Sequence, residues 1–405
     1  METYLARQPI LDKDMRVQAY QLFYRSEAAD KQFNSNTDAN TASSSVMLAI
    51  QNSGLRRMTS GRPAYINFTP DLVTKEISTI FTPETVIIEL AHGFPPEPSF
   101  IRALRALKSR GYRIALNRFD RSAQFEPLLM LASIIKIDLH HFPPSELPEL
   151  AAHAKQHGIT LLAQKLETRE DFDLAVSLGF DLFQGYFFSH PIIMQDTALN
   201  PCRFQFMNLM QLIFQQEPDY TKVSQVIRSD LALSFNLLRL VNSASMGTRL
   251  KIRDIPHAVA YLGTSELRKW VSLVNLGAIQ EARPGELFVM SMIRAHFCEA
   301  LARASRQTQL AEQFFLTGLF SLLDTLFCCK MDEVLTQLPL QTMVTQALVD
   351  HLGPGYQALE IIERLEKGDF QQVEVLSERL DLNERVISRL YFEGIIWAGS
   401  VIDGD

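Results

Sequence analysis

The sequence predicts a chain of two domains, an α/β barrel followed by an all-helical domain. The length of 405 residues exceeds what a single hydrophobic core usually serves. From Val86 to Gly185, short apolar runs rich in β-branched residues alternate with amphipathic stretches. After Pro191 the pattern changes to a helical periodicity that continues almost to the C-terminus. We therefore place a barrel domain at residues 1–196 and a helical domain at residues 197–405.

Composition narrows the classes of function. The formal net charge is −7 with a pI near 5.8, and the sequence has no block rich in Lys and Arg. Because phosphate binding needs clustered cations, we expect no nucleic acid partner. The start of the chain lacks a continuous apolar stretch, and Asp324 interrupts the longest apolar run. These features predict a cytoplasmic protein without membrane insertion.

The apolar pattern of the first half favours parallel strands covered by helices on both faces. The runs at residues 134–139 and 159–163 are apolar on both faces of a strand, as in a barrel of βα units. In such a barrel the carboxyl ends of the strands meet at one mouth, where polar side chains share a pocket. The polar residues at these predicted strand ends are Glu89, Asn117, Lys136, Asp138, Gln164 and Gln184.

Apolar residues in the second half recur at helical spacing between breakers such as Gly247, Gly263 and Pro339. The predicted helices are Phe204–Phe214, Val223–Ile227, Leu231–Val241, Ala258–Leu262, Ser265–Leu276, Phe288–Ala304, Gln313–Cys329, Gln341–His351 and Asn383–Trp397. This pattern predicts an all-α domain.

The acids of the predicted pocket are too few for metal-dependent hydrolysis of a phosphodiester. That reaction commonly uses two divalent ions held by several converging carboxylates. The available acids are Glu89, Asp138 and Glu167, whereas the neighbouring positions hold Asn117, Arg118, Gln164 and Gln184. Arg118 carries a permanent positive charge and cannot bind a cation. We therefore expect no metal.

The first half resembles the EAL domain, which hydrolyses cyclic di-GMP. LGFDLFQGYFFSHP, with Gln184, is similar to the segment that ends that domain, and INFTPDL is similar to the segment with its metal-binding Asn, at Asn67. VIIELAHG keeps the first Glu of the E-x-T-E segment as Glu89 and has His92 in place of the second. Lys136 in IIKIDL matches the lysine of the family.

Departures from the family pattern concern the residues of its chemistry. The signature E-A-L-L-R reads QLFYR, so Gln21 replaces the glutamate while Arg25 keeps the arginine. The metal-binding D-D-F-G segment begins with Asn117 and Arg118, which removes both of its aspartates. In LLAQKLE, Gln164 stands at the catalytic glutamate and Glu167 keeps the second acid. The resemblance therefore implies a domain without catalytic residues, metal or other cofactor.

Two interpretations of the remaining pocket stay open. In the first, charged side chains form ion pairs that keep the barrel mouth folded: Glu89, Lys136, Glu167 and Arg118. In the second, Arg25, Arg118 and Lys136 form a metal-free cationic cleft for a phosphate ligand such as cyclic di-GMP, because arginine binds phosphate through two parallel hydrogen bonds. We favour the first interpretation and expect cyclic di-GMP to bind weakly or not at all.

Residues 220–276 resemble the HDOD domain, a non-catalytic relative of the HD-type phosphohydrolases. Asp230, Asn242 and Ser243 match its D-x-x-L…N-S core, Gly263 matches its A-x-x-x-L-G segment, and Trp270 follows in the expected helix. No His-Asp dipeptide occurs in the sequence. We expect Asn242 and Ser243 to end their helix by local hydrogen bonds, so these motif residues have structural roles.

The two halves together resemble the EAL-HDOD proteins of bacteria, which are associated with cyclic di-GMP signalling, motility and surface behaviour. This resemblance implies a catalytically inactive scaffold that binds one or more partner proteins through its HDOD half. A metal-independent cyclic di-GMP receptor and a residual phosphodiesterase remain the alternatives.

Overall fold

The computed structural model describes residues 3–26, 54–90, 96–117, 126–142, 145–189, 209–243, 246, 251–278, 285–327 and 329–403. The first part of the chain forms an eight-stranded barrel, and the part that follows it is helical. The predicted fold class is thereby confirmed.

The strands form a closed barrel in chain order. They are β1 Thr3–Leu11, β2 Val17–Ser26, β3 Ala64–Phe68, β4 Val86–Leu90, β5 Arg113–Asn117, β6 Ile134–Asp138, β7 Thr160–Leu166 and β8 Leu182–Gly185. Strand β1 runs antiparallel to both of its neighbours, β2 and β8, and the other neighbouring strands pair in parallel. The carboxyl ends of β2 to β8 therefore lie at one end of the barrel, which we call the mouth.

Short helices connect the strands and bury one apolar face each. They are α1 Leu55–Met58, α2 Pro70–Thr74, α3 Pro98–Ser109, α4 Glu126–Leu129, α5 Leu147–Gln156 and α6 Arg169–Ser177. Helix α3 shows why they form, because Phe100, Ile101, Leu104 and Leu107 recur at helical spacing and are buried. Helix α6 begins at a capping box in which Thr168 and Asp171 bind each other's backbone N–H groups.

One apolar layer fills the inside of the barrel, with one side chain from each strand. The layer consists of Ile10, Ala19, Tyr65, Ile87, Ala115, Ile134 and Leu162, with Leu182 packed against it. Since successive side chains of a strand point to opposite faces, residues two positions away from these also point inward. This register decides which side chains reach the mouth.

The helical part begins, within the described residues, at 209–213. Its helices are α7 Tyr220–Ser229, α8 Leu231–Val241, α9 Ile255–Ala278, α10 Gly285–Ala304, α11 Ala311–Phe320, α12 Leu323–Phe327, α13 Met331–Leu335 and α14 Thr342–Thr345, followed by a π-helix at Gln346–Asp350. Helix α9 is interrupted at Gly263, which has φ 71° and ψ 172°. None of the described helices has the length and apolar character that a membrane span needs.

Three further helices end the chain: α15 Gly353–Glu366, α16 Phe370–Glu378 and α17 Glu384–Asp403. The chain divides into two compact units, residues 1–190 with 361–405, and residues 191–360. The sequence placed residues 361–405 in the helical domain, and here the structure differs, because α17 packs against β1 and α1 of the barrel unit. The boundary predicted near residues 196 and 197 lies outside the described residues and stays a prediction.

Candidate functional site

Eight polar side chains form a layer directly above the apolar layer of the barrel, on the side of the mouth. Each follows its apolar residue by two positions, or precedes it by two in the antiparallel β1, so that each strand contributes one side chain. We call these residues the polar ring: Gln8, Gln21, Asn67, Glu89, Asn117, Lys136, Gln164 and Gln184. The ring is where a ligand that enters the barrel would meet polar groups.

Lys136 is the central donor of the polar ring. Its Nζ lies 3.0 Å from Glu89 Oε1 and 2.7 Å from Gln21 Oε1. Lys136 is 2% exposed and Glu89 1% exposed, so this is a buried ion pair whose charges cancel. The Nζ also lies 5.7 Å from the centroid of the Tyr65 ring below it, and burial raises the pKa of Tyr65 well above its usual range. Tyr65 therefore stays neutral beneath the ion pair.

Amide side chains extend the hydrogen bonds around the ring. Asn117 Nδ2 donates to Glu89 Oε1 at 3.0 Å, and Gln164 Nε2 donates to Asn117 Oδ1 at 3.2 Å. On the other side, Gln184 Nε2 donates to Gln8 Oε1 at 2.8 Å. The amides thus bond to one another and to Glu89 within the ring.

Buried acceptors of the ring include atoms with no hydrogen-bond donor within the described part of the chain. Among them are Glu89 Oε2 and Gln184 Oε1. A buried acceptor without a partner is costly, so native proteins usually satisfy such atoms with protein groups, water or a ligand. The ring therefore has capacity for a molecule that donates hydrogen bonds.

Asp138 and Glu167 lie outside the ring, although the sequence predicted both in the pocket. Asp138 accepts from the backbone N–H of His140 at 3.1 Å, and its Oδ2 lies 3.0 Å from Lys165 Nζ. Glu167 is exposed, and its backbone N–H donates to Asp171 Oδ2 at 3.1 Å. Glu167 forms no ion pair with another described residue, and because Arg118 lies outside the described residues, the expected pairing of Glu167 stays a prediction.

Asp138 follows Lys136 by two positions on β6, so it belongs to the next layer toward the mouth, whereas Glu167 follows a change of register in β7. The pairing of β7 with β8 shifts between Ala163 and Leu166, and Lys165 has φ 59° within this irregularity. Opposite the shift, a Cβ atom on Gly185 would lie 2.0 Å from the Leu166 carbonyl oxygen, so only glycine fits there. Glu167 lies just past this bulge and is exposed.

The described residues do not fit a centre of two divalent ions. Among them, no group of three or more His, Cys, Asp or Glu side chains is placed to hold a metal. Glu89 is the only acid of the ring, and its Oε1 already accepts hydrogen bonds from Lys136 and Asn117. Arg118 and His92 lie outside the described residues, as does the side chain of Arg25 at the end of β2.

The structure brings together most of the predicted pocket and adds one residue to it. The members predicted from the sequence are Gln21, Asn67, Glu89, Asn117, Lys136, Gln164 and Gln184. Gln8 was not predicted, because the βα pattern was traced from Val86 onward. The signal that could have revealed it is the polar Gln8 two positions before the buried Ile10 in the run LARQPIL.

The motif residues of the helical unit hold backbone segments together. Asp230 Oδ1 accepts from the N–H of Leu233 at 3.0 Å, at the start of α8. Asn242 donates to the carbonyl oxygens of Leu238 and Ile252, both at 2.8 Å, and accepts from the N–H of Ile252 at 2.8 Å. Asn242 thus joins the end of α8 to the segment that precedes α9, a longer-range role than the local bond expected from the sequence.

Two further motif residues are local in their effect. Ser243 Oγ donates to the Leu240 carbonyl oxygen at 2.7 Å, and Trp270 is buried within α9. The polar side chains of Asp230, Asn242 and Ser243 therefore bond to backbone groups of the protein itself.

Family models identify both halves. The model of the EAL domain matches residues 8–191, and the model of the HDOD domain matches residues 202–350. The chain therefore belongs to the family of proteins that join an EAL domain to an HDOD domain.

Two relatives align over nearly their whole length. The uncharacterised protein YuxH of Bacillus subtilis (strain 168) is 31% identical over 411 residues, which cover 100% of both chains. CdgJ of Vibrio cholerae serotype O1, a cyclic di-GMP phosphodiesterase, is 32% identical over 377 residues, which cover 92% of this chain and 87% of CdgJ.

Solved structures of EAL proteins align with the barrel part alone. The Bacillus subtilis YkuI protein, in complex with cyclic di-GMP and calcium, is 16% identical with a TM-score of 0.38, and the alignment covers 46% of this chain and 53% of YkuI. The EAL domain protein of Listeria monocytogenes is 17% identical with a TM-score of 0.37, over 47% of this chain and 88% of that one.

Proposed function

We propose that this protein is a cyclic di-GMP pathway component that acts by binding partner proteins and does not hydrolyse the nucleotide. The observation that carries the proposal is that amides surround the single acid of the ring: Asn117 Nδ2 donates to Glu89 Oε1 at 3.0 Å, and Gln164 Nε2 donates to Asn117 Oδ1 at 3.2 Å. Glu89 and Lys136 both match the family pattern, so the argument against a metal rests on the amides Gln21, Asn117 and Gln164 where that pattern has acids. With Glu89 as the only acid of the ring, a divalent ion about 4 Å from the Lys136 ammonium would be repelled by on the order of 8 kcal/mol at an effective dielectric constant of about 20, and no second carboxylate of the ring offsets this repulsion.

A hydrolysis assay tests the enzymatic part. Purified full-length protein is incubated with cyclic di-GMP and millimolar Mg²⁺ or Mn²⁺, and the linear dinucleotide product is measured by chromatography. CdgJ, assayed in parallel, is the positive control, and we expect no product from this protein. Metal-dependent product that disappears in Glu89→Gln would refute the proposal, whereas product that persists in that variant identifies a contaminating enzyme.

The helical unit is the proposed surface for a partner protein. The bonds of Asp230 and Asn242 are internal, and the described part of the unit has no group of side chains placed to hold a metal. Large apolar side chains remain exposed on it, with Phe235 64% exposed and Tyr261 42% exposed. Exposed aromatic residues of this kind are common anchors of protein interfaces.

Partner capture from native cells, quantified by mass spectrometry, tests this part. Phe235→Asp in the full-length chain should lose a specifically captured protein that wild type retains. Ile402→Asp is the matched control, because Ile402 is 52% exposed but lies in the barrel unit. If the Ile402 variant loses the partner and the Phe235 variant keeps it, the interface belongs to the barrel unit.

A second candidate function is a metal-independent receptor for cyclic di-GMP. Glu89 Oε2 and Gln184 Oε1 favour it, since both are buried acceptors that lack donors within the described residues. Isothermal titration calorimetry in the presence of EDTA tests it directly. Tight binding without metal would favour the receptor function over the proposed binding of partner proteins, which we call the adaptor function. If no heat of binding is measured, the adaptor function remains the proposal.

A further inference from the structure

The C-terminal part of the chain contributes to the mouth of the barrel. Between α15 and α16 lies the turn Lys367-Gly368-Asp369, which we call the C-terminal turn. A Cβ atom on Gly368 would lie 3.6 Å from Cγ of Phe23, and Lys367 Nζ lies 5.7 Å from the centroid of the Tyr186 ring.

The two aromatic residues show where this turn lies. Phe23 follows Gln21 by two positions on β2, and Tyr186 follows Gln184 by two positions. Phe23 therefore shares the inward face of β2 with Gln21, one layer nearer the mouth. The C-terminal turn thus lies at the mouth, one layer above the polar ring, on the side of β8 and β2.

Hydrogen bonds fix the conformation of the C-terminal turn. Gly368 has φ 71°, and its N–H donates to the Leu365 carbonyl oxygen at 2.9 Å. Asp369 accepts from the N–H of Gln372 at 3.3 Å and lies 3.4 Å from Arg364 Nη1. Helix α17, which follows the turn along the chain, packs on β1. We therefore treat the C-terminal turn as a rigid part of the rim, by which we mean the edge of the mouth.

Lys367 is a cation that the described residues do not neutralise. The charges of Lys136 and Glu89 cancel within the ring, and Lys165 is paired with Asp138. Lys367 is exposed and contacts the face of Tyr186, without an ion pair to another described residue. Its ammonium is therefore available to an anionic group at the mouth.

We propose that Lys367, supplied by the C-terminal segment, is a ligand-contact residue of the barrel pocket that binds the phosphodiester group of a nucleotide. The identity of the nucleotide rests on the receptor function proposed above. The pocket is then composite, because residues 8–191 of the EAL match do not include this cation. A lysine acts here as a point charge and does not require a bound metal.

Calorimetric titration of the full-length protein with cyclic di-GMP, in EDTA, tests the proposal. Lys367→Met should raise the Kd about fivefold to tenfold and reduce its salt dependence, whereas Lys367→Arg should stay within about twofold of wild type. Lys13→Met is the matched control, because Lys13 is also exposed but lies in the β1–β2 turn at the opposite end of the barrel. Equal loss in the Lys13 variant, or no loss in the Lys367 variant, would overturn the proposal.

A disulfide tests whether the rim is fixed. The Cβ position of Gly368 lies 3.9 Å from Phe23 Cβ, within the range of about 3.5–4.5 Å that a disulfide spans. Phe23→Cys/Gly368→Cys, made with Cys202→Ser and Cys328→Ser, should crosslink on oxidation and bind cyclic di-GMP equally in its oxidised and reduced forms. Loss of binding only in the oxidised form would show that the turn must move, which contradicts a fixed rim.

The outcomes separate this proposal from the adaptor function. If wild type gives no heat with cyclic di-GMP, the role of Lys367 is overturned, and the proposal of a non-hydrolytic adaptor stands. If the protein hydrolyses cyclic di-GMP, the adaptor proposal fails, and the effect of Lys367→Met on the Kd in EDTA still decides the role of Lys367.

Discussion

Replacing Lys136 with methionine removes the ammonium group between Glu89 and Gln21 in the polar ring. Methionine is similar in length and apolar, so the substitution changes charge more than volume. Glu89, at 1% exposed, would keep its hydrogen bond from Asn117 but lose its cation. The remaining carboxylate would then be a buried charge without compensation.

The size of the effect follows from the burial of the pair. Breaking a buried ion pair by removal of one partner costs about 3–5 kcal/mol, whereas replacing both partners with neutral groups is often close to neutral. We therefore expect Lys136→Met to lower the free energy of unfolding of the barrel unit by about 3–4 kcal/mol. Glu89→Gln/Lys136→Met should be more stable than Lys136→Met alone, with a coupling energy of about 2 kcal/mol or more.

Tryptophan fluorescence during urea unfolding measures each unit separately. The chain has two tryptophans, Trp397 on α17 in the barrel unit and Trp270 on α9 in the helical unit. In a Trp270→Phe background, Trp397 alone reports on the barrel. With a slope of about 2–3 kcal/mol/M, the loss corresponds to a midpoint about 1–2 M lower in urea.

Lys13→Met is the control for the loss of a lysine, since Lys13 is exposed in the β1–β2 turn. Its midpoint should stay within about 0.2 M of wild type. A similarly small shift for Lys136→Met would refute the reasoning, because the ion pair would then contribute nothing to the barrel. A double variant as unstable as Lys136→Met would also refute it, by showing that lost packing and not charge explains the effect.

Local sequence signals predicted elements whose formation depends on nearby residues. Helix α8 was predicted at Leu231–Val241 and has those bounds in the structure, because its apolar spacing coincides with the cap from Asp230. The predicted helix Gln313–Cys329 is instead divided into α11 and α12. Apolar residues continue on both sides of the turn at residues 321 and 322, so their pattern does not show where α11 ends.

The polar ring could be predicted in large part because its members on β2 to β8 each follow an apolar strand residue by two positions. The exceptions depend on backbone geometry that residue types do not encode. Glu167 follows the bulge at Lys165, and a sequence alone does not show where a strand changes register.

The position of residues 361–405 depends on contacts between parts of the chain that are far apart in sequence. The pattern of α17 reveals an apolar face that includes Ile387, Tyr391 and Ile395, all buried in the structure. That pattern does not specify which surface the face covers, because any apolar surface of matching shape satisfies it. The contribution of Lys367 to the mouth could therefore be recognised only in the structure.

Two substitutions test packing and burial elsewhere. For each, the free energy of unfolding is measured by the fluorescence of the tryptophan in the same unit. Gly185→Ala should cost about 3 kcal/mol or more, because its Cβ would lie 2.0 Å from the Leu166 carbonyl oxygen; Gly61→Ala, also at positive φ but with no atom within 4 Å, should cost only about 1 kcal/mol. In the helical unit, burial raises the pKa of Asp324. A raised pKa in the folded state means that stability is lost as the pH rises through that pKa. Asp324→Asn can still accept the bond from Thr325 N and should therefore raise the free energy of unfolding at pH 7, with the gain vanishing below the unfolded-state pKa of about 3.9. A gain that is the same at acid and neutral pH would show that ionisation of Asp324 is not its cause.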